Sequence, residues 1–203
     1  SVKRAGEGIV QAFLRARETD PVSAFGGVIA FAGVVDLESA EAITENFVEG
    51  VIAPGFSPEA LKIFESKKNV RLMEIKDPKR FLRAGMEIRQ VAEGILYEDL
   101  DVLANGPSDW KVVTEKKPQP EDLAGMEFAW RLVKSVKSNA IVFTSRDQSL
   151  GIGAGQMSRV DSVEIAVSMM GRKRVELASI AAAATSLPCA RSASIWPIKM
   201  TAF

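Results

Sequence analysis

No histidine occurs anywhere in these 203 residues. The chain therefore has no imidazole to offer a Ser-His-Asp triad, a histidine metal site or a histidine general base. Cysteine is almost as scarce. Cys189 stands alone, so no internal disulfide can form, and with no histidine beside it no metal site is expected. An excess of charge of one sign is missing too: 26 Lys and Arg balance 26 Asp and Glu. A neutral chain gives no electrostatic case for nucleic acid. No apolar run approaches the roughly 20 residues that span a bilayer, so no membrane association is expected. The opening Ser1-Val2-Lys3-Arg4-Ala5-Gly6-Glu7-Gly8 lacks a secretory hydrophobic stretch. A cytoplasmic location is the expectation.

What is present is ordinary for a globular protein: 47% apolar and 26% charged residues, enough for one domain or two small ones. Residues 8–19 carry Ile9, Phe13 and Ala16 at helical spacing, and Asp20-Pro21 stops the helix. Residues 27–35 are a β-rich run. Asp36 is a plausible N-cap for a helix bearing Ala40, Ile43 and Phe47 on one face. Val48 to Ala53 is a short strand stopped by Pro54-Gly55. Ser57-Pro58 has the capping hydroxyl and N1 proline of a helix start. Val70 to Ile75 is another strand. This alternation predicts an α/β layer with helices packed on a sheet.

Residues 85–99 read as a strand pair or one long strand, followed by a polar loop over 101–109. Glu115-Lys116-Lys117, flanked by Pro118 and Pro120, is the best linker candidate. A helix over 121–137 presents Met126, Trp130 and Val133. A strand covers 140–144, a turn sits at Asp147-Gln148, and a strand resumes at Leu150. Arg159 to about Ala184 reads as helix with a possible break at Gly171. From Leu177 to Phe203 there is no Asp or Glu, and the alanine-rich tail is low in complexity. The division expected is a first α/β subdomain over 1–117, the start of a second over 118–180, and an atypical tail over 181–203.

The densest signal is Ser138-Asn139-Ala140-Ile141-Val142-Phe143, followed by Gly151-Ile152-Gly153-Ala154-Gly155-Gln156-Met157-Ser158-Arg159. An apolar strand meets a glycine-rich bend that ends in an amide, a hydroxyl and a guanidinium, a set suited to a polar, anionic small molecule. The bend is a poor dinucleotide fingerprint. Its sixth position is Gln156 rather than Gly or Ala, and no acidic ribose partner lies at the right distance.

Together with Asp20-Pro21-Val22-Ser23-Ala24-Phe25-Gly26-Gly27, Ile52-Ala53-Pro54-Gly55-Phe56-Ser57-Pro58-Glu59-Ala60-Leu61, Trp110-Lys111-Val112-Val113-Thr114 and Phe128-Ala129-Trp130-Arg131-Leu132-Val133-Lys134, this segment resembles one family. It is similar to the transformylase region of the bifunctional purine-biosynthesis family, 5-aminoimidazole-4-carboxamide ribonucleotide transformylase/IMP cyclohydrolase. The likeness runs from about residue 8 to about residue 180. It implies a cytidine-deaminase-like layered α/β fold, incomplete in this chain and without the deaminase zinc. It also implies formyl transfer from 10-formyltetrahydrofolate as co-substrate to the ribonucleotide amine, and a homodimer.

By position in the matched motifs, the resemblance makes Gly26, Glu49, Asn139 and Arg159 substrate-binding residues and Val160 a folate-side neighbour. Glu49 also reads as an exposed helix-end carboxylate, and Phe25 as a core residue. Gln156 and Ser158 either orient Arg159 or touch ligand. The family's catalytic Lys-His pair has no counterpart here, so no catalytic residue is assigned. Its downstream motif of the type Ser-Asp-Ala-Phe-Phe-Pro-Phe is also missing, and a frame-shifted end is one explanation of the tail. The resemblance leaves two functions open: a partial formyltransferase, or a non-catalytic nucleotide-binding or dimer-forming remnant.

Overall fold

Three β-α steps build the first half of the chain. The computed structural model describes residues 1–77, 85–99, 107–171, 180–184 and 195–196. Their contacts form two units, Ser1–Leu82 and Arg83–Phe203. The division falls upstream of the proline-flanked stretch. There Pro120 is instead the first residue of a helix, and Gln119 and Asp122 close a capping box around its N-terminus.

The first unit runs α1 (Ile9–Thr19), β1 (Gly27–Ala30), α2 (Leu37–Thr44), β2 (Val48–Ala53), α3 (Pro58–Glu65) and β3 (Arg71–Glu74). The strands form a parallel sheet in the order β1-β2-β3. Two caps fix the helix starts. Asp36 accepts from the Ser39 N–H at 2.9 Å, and the Ser57 hydroxyl accepts from the Ala60 N–H at 3.1 Å. Such caps are worth about 1 kcal/mol each. Phe13 of α1, Ala40 and Ile43 of α2, Val51 of β2, and Ala60 and Phe64 of α3 share one buried cluster. Fully burying a Val or Ile contributes about 1.5–3 kcal/mol, so this cluster dominates the unit.

Three expectations are corrected in this unit. The 27–35 run is a strand only to Ala30. Its partner β2 ends at Ala53 before Pro54, so Phe31 makes the last bond to Ile52. The chain then bends through Gly33, and Val35 rejoins by one parallel bridge to Phe56. Ala16 is exposed, because the buried stripe of α1 is Val10, Phe13 and Thr19. Phe25 is 68% exposed rather than core. It sits in a chain of tight turns and leans on Phe47, with ring centroids 5.5 Å apart.

The second unit opens with a hairpin, β4 (Met86–Val91) and β5 (Gly94–Asp99), and a short 3-10 turn at Pro107–Asp109. It continues as α4 (Pro120–Val133), β6 (Ala140–Thr144), β7 (Ser149–Gly153), α5 (Arg159–Met170), β8 (Ile180–Ala184) and β9 (Ile195–Trp196). The sheet order is β7-β6-β8-β9, and each neighbouring pair is antiparallel. All five residues of β6 are buried. Ala140 and Val142 join the α4 side of the core, with Met126, Ala129 and Val133. Ile141 and Phe143 join the α5 side, with Leu150, Ala166 and Met170. Period-2 alternation thus sends one apolar run into two cores, and the result is a helix-sheet-helix sandwich. Thr144, fully buried, donates its hydroxyl proton to the Gly125 carbonyl of α4 at 3.2 Å.

The helix expected from Arg159 to Ala184 ends at Met170. Gly171 adopts φ +70°, a left-handed conformation that glycine tolerates best. Residues 180–184 are strand. Ala184, Ala183, Ala182, Ala181 and Ile180 pair in turn with Ala140 through Thr144. Alanine favours helix locally, but the open edge of β6 offers a full ladder and tertiary pairing overrides the propensity. Most of the remaining tail lies outside the described residues.

Candidate functional site

The glycine-rich bend gets its geometry from packing. Gly151 and Gly153 lie in β7, where any Cβ would overlap the backbone carbonyls of Ala166 and Ser162 in α5. These two glycines let the helix ride directly on the strand. Only Gly155, at φ +70°, is there to turn the chain.

Asn139 anchors the loop beyond that turn. Its side-chain nitrogen donates to the carbonyls of Gln156 (2.8 Å) and Met157 (3.0 Å), and its backbone N–H donates to Gln156 at 3.2 Å. Its own carbonyl accepts from the buried Ser162 hydroxyl at 2.9 Å. The Asn139 amide, substrate-binding by the resemblance, therefore has its two donors committed to the 156–157 loop. Its side-chain oxygen is the atom left to accept. Gln156 folds back on Ala154, donating to that carbonyl at 3.1 Å. Ser158 is the N-cap of α5, accepting from the N–H groups of Val160 (3.1 Å) and Asp161 (3.5 Å). Both residues thus shape the loop.

Arg159 is different. It is the first residue of α5, is exposed, and its guanidinium makes no hydrogen bond or ion pair among the described residues. A cation at a helix N-terminus opposes the helix dipole, so nothing in the stability of α5 calls for it. Val160, next to it, is 63% exposed. Together they put a guanidinium, the positive end of a helix and an apolar side chain on one solvent-facing turn.

The other two candidates belong to the first unit. Gly26, at φ +73°, donates its N–H to the Phe47 carbonyl at 2.9 Å. A Cβ there would meet nothing closer than the Phe47 ring at 3.9 Å, so backbone conformation, not crowding, selects glycine. Glu49 lies within β2 rather than at a helix end. It accepts from Arg71 of the neighbouring strand β3 at 2.6 Å. Both side chains are largely exposed, so this pair contributes little stability.

Sequence reasoning missed a cleft beside these residues. It has a volume of about 470 Å³ and lies where α2 and α3 end and β2 and β3 begin. Asn46, Phe47, Lys67, Lys68 and Asn69 are among its lining residues. Its size is that of a small-molecule site. It opens at the amino ends of the parallel strands, however, opposite the end where open α/β sheets bind ligands. The only available signal was the pair of polar turns, Glu45-Asn46 and Lys67-Lys68-Asn69.

Among the described residues no three His, Cys, Asp or Glu side chains gather as metal ligands. No described helix is long and apolar enough to cross a membrane.

The family whose model matches residues 4–169 is described as the AICARFT/IMPCHase bienzyme. The chain belongs to that family. Its relatives include the bifunctional purine biosynthesis protein PurH of Leptospira biflexa serovar Patoc (strain Patoc 1 / Ames), 51% identical over 160 residues. That alignment covers 79% of this chain and 31% of the relative. PurH of Myxococcus xanthus (strain DK1622) is 47% identical over 167 residues, covering 80% of this chain and 32% of its own. PurH of Synechococcus sp. (strain CC9605) is 46% identical over 169 residues, covering 83% and 32%. This chain spans about a third of the length of these relatives. Its mixed α/β architecture is the one expected for a transformylase domain of the AICARFT/IMPCHase family. Residues 170–203 lie beyond the family match.

Proposed function

We propose that these 203 residues carry part of the nucleotide-binding shell of a formyltransferase in purine biosynthesis. The reaction is transfer of the formyl group from 10-formyltetrahydrofolate to 5-aminoimidazole-4-carboxamide ribonucleotide. The amine nitrogen bonds to the formyl carbon, the bond from that carbon to folate N10 breaks, and the proton lost by the amine ends on N10. Such a step needs a proton shuttle and stabilisation of charge on the formyl oxygen.

The observation that carries the reading is Arg159. A guanidinium without a protein partner among the described residues, placed at a helix N-terminus, suits a phosphate or carbonyl of the nucleotide. Asn139 supports it by fixing the loop that leads to α5 and by keeping an acceptor oxygen for a donor on the ligand. Val160 offers apolar surface to the folate side. By the family motifs Gly26 and Glu49 of the first unit are substrate-binding residues as well, and Glu49 would exchange its Arg71 partner for a ligand donor. A homodimer is part of the proposal.

The 203-residue chain by itself binds nucleotide without turnover, because it has no imidazole to move the proton. General acid-base help is typically worth about 10²–10⁴ in rate. The test pairs calorimetric titration with the ribonucleotide and a formyl-consumption assay with 10-formyltetrahydrofolate, beside a full-length relative. Binding that Arg159→Ala weakens, with turnover far below the relative's, is the expected result. Turnover within tenfold of the relative would overturn the claim of inactivity, and binding indifferent to Arg159→Ala would overturn the site.

A further inference from the structure

Glu49 of β2 and Arg71 of β3 hold each other across neighbouring parallel strands. The contact is one charge-assisted hydrogen bond, donated by an Arg71 Nη to a Glu49 carboxylate oxygen at 2.6 Å. Among the described residues neither side chain has another hydrogen bond or ion pair. The Arg71 side chain is 78% exposed and that of Glu49 46%, and a pair so open to water contributes little stability. Strand register does not impose the contact either. The residue opposite Arg71 is Gly50, so the guanidinium reaches past its own row to meet the carboxylate.

The surroundings are cationic. Val48 and Val70, the residues just before Glu49 and Arg71, both line the cleft at the amino ends of β2 and β3. In that lining Glu45 is engaged by Arg17 at 3.0 Å, while Lys67 and Lys68 make no ion pair among the described residues. Both lysines follow directly on the C-terminal end of α3, where the helix dipole favours a cation. Arg71, the first residue of β3, has no such reason for its place. Within the chain the pair is self-saturating: the guanidinium is the donor that Glu49 needs, and the carboxylate is the anion that Arg71 needs. A ligand with a hydroxyl or amine beside an anionic oxygen replaces both partners at once, and a water-screened pair costs little to open. A ligand with the donor alone takes Glu49 and leaves the guanidinium without a partner.

We infer that Arg71 is a specificity-determining residue of the substrate site, taking the phosphate of the ribonucleotide while Glu49 takes a donor on the same molecule. The inference rests on the reading of Glu49 as a substrate-binding residue. It makes the exchange two-sided, since the guanidinium released by Glu49 passes to the one anionic group that the ribonucleotide carries. Phosphorylated and unphosphorylated ligands are told apart at this pair.

The test is calorimetric titration of the chain with 5-aminoimidazole-4-carboxamide ribonucleotide and, separately, with the nucleoside that lacks its phosphate. The parent chain binds the nucleotide more tightly. Arg71→Met weakens the nucleotide about tenfold, as loss of one charge-assisted hydrogen bond does, and leaves the nucleoside within about twofold. Arg71→Lys, which keeps a charge without the fork, falls between the two. Melting temperatures equal to the parent's accompany both variants, because the pair contributes little to the fold. Nucleotide affinity unchanged or raised in Arg71→Met overturns the inference, since Arg71 then only occupies Glu49. Equal losses for nucleotide and nucleoside overturn it too, since Arg71 then acts by placing Glu49, and so does a parent chain indifferent to the phosphate. A parent chain that binds neither ligand overturns this inference together with the proposed substrate site. Weakening by Arg159→Ala with none by Arg71→Met overturns this inference alone.

Discussion

The two units use glycine and apolar strands in opposite ways. In the second, β6 is buried on both faces and two glycines of β7 vanish beneath α5. In the first, β1 is half-exposed, Gly26 has room around it, and apolar residues of β1 and β3 face water. A strand sequence takes its meaning from what stacks on it. Val142 and Val28 are the same residue in the same kind of element, yet one is fully buried and the other two-thirds exposed.

The sharpest contrast is between two glycine substitutions. Gly153→Ala puts a methyl into the Ser162 carbonyl, with backbone on both sides and no flexible side chain to yield. The second unit should lose about 3 kcal/mol or more, the upper end of overpacking costs. Gly26→Ala meets only the Phe47 ring, at ordinary van der Waals distance, and strains its φ of +73°, which costs about 1–2 kcal/mol. All three tryptophans, Trp110, Trp130 and Trp196, lie in the second unit. Urea unfolding followed by tryptophan fluorescence should therefore shift strongly for Gly153→Ala and hardly for Gly26→Ala. Equal small shifts would mean that α5 does not ride directly on β7.

Smaller effects separate the two valines. Val142→Ala opens a cavity between α4 and the sheet and should cost about 2 kcal/mol. Val28→Ala should stay within about 0.5 kcal/mol. Hydrogen exchange across each unit reads both, and a comparable loss at Val28 would mean that its face is already covered in this chain.

The smallest effect is electrostatic and confined to the first unit. The Ser39 hydroxyl beside it and the Ser39 backbone N–H, which donates to it at 2.9 Å, hold the Asp36 carboxyl below the usual carboxylate range, against an opposing effect of burial. Because the folded value is depressed, the cap's contribution is fully present above the unfolded value of about 3.9. It is lost as the pH falls through the lower folded value. Amides of α2 should lose protection below about pH 4 in the parent chain. Asp36→Asn, which caps without titrating, should flatten that dependence. An unchanged pH profile in the variant would remove Asp36 as its source.

Local chemistry alone made several elements readable. Asp36, Ser57-Pro58 and Pro54 mark helix starts and a strand end that the structure reproduces, because caps and proline act within a few residues. The Ala140–Thr144 run was readable as a strand for the same reason, since its apolar continuity needs no partner to be recognised. The site was half readable. The 138–159 stretch was visible as a special segment, but its glycines read as one bend when two of them are packing contacts within β7. Asn139 was expected to bind substrate, and its donors tie down a loop. Those facts depend on α5 and β7 lying against each other, which no spacing within the segment encodes.

Sequence by itself determined the kinship. The motif series that carries it required no coordinates. Tertiary structure alone decided that the alanines of 180–184 form a strand, that Phe25 faces solvent, and that β6 is buried on both faces while Val28 and Ala30 of β1 are exposed. The reason is physical. Propensity and capping act over a few residues and fractions of a kilocalorie to about 1 kcal/mol each. Pairing and burial act between segments far apart in the chain, and here they are the larger effect.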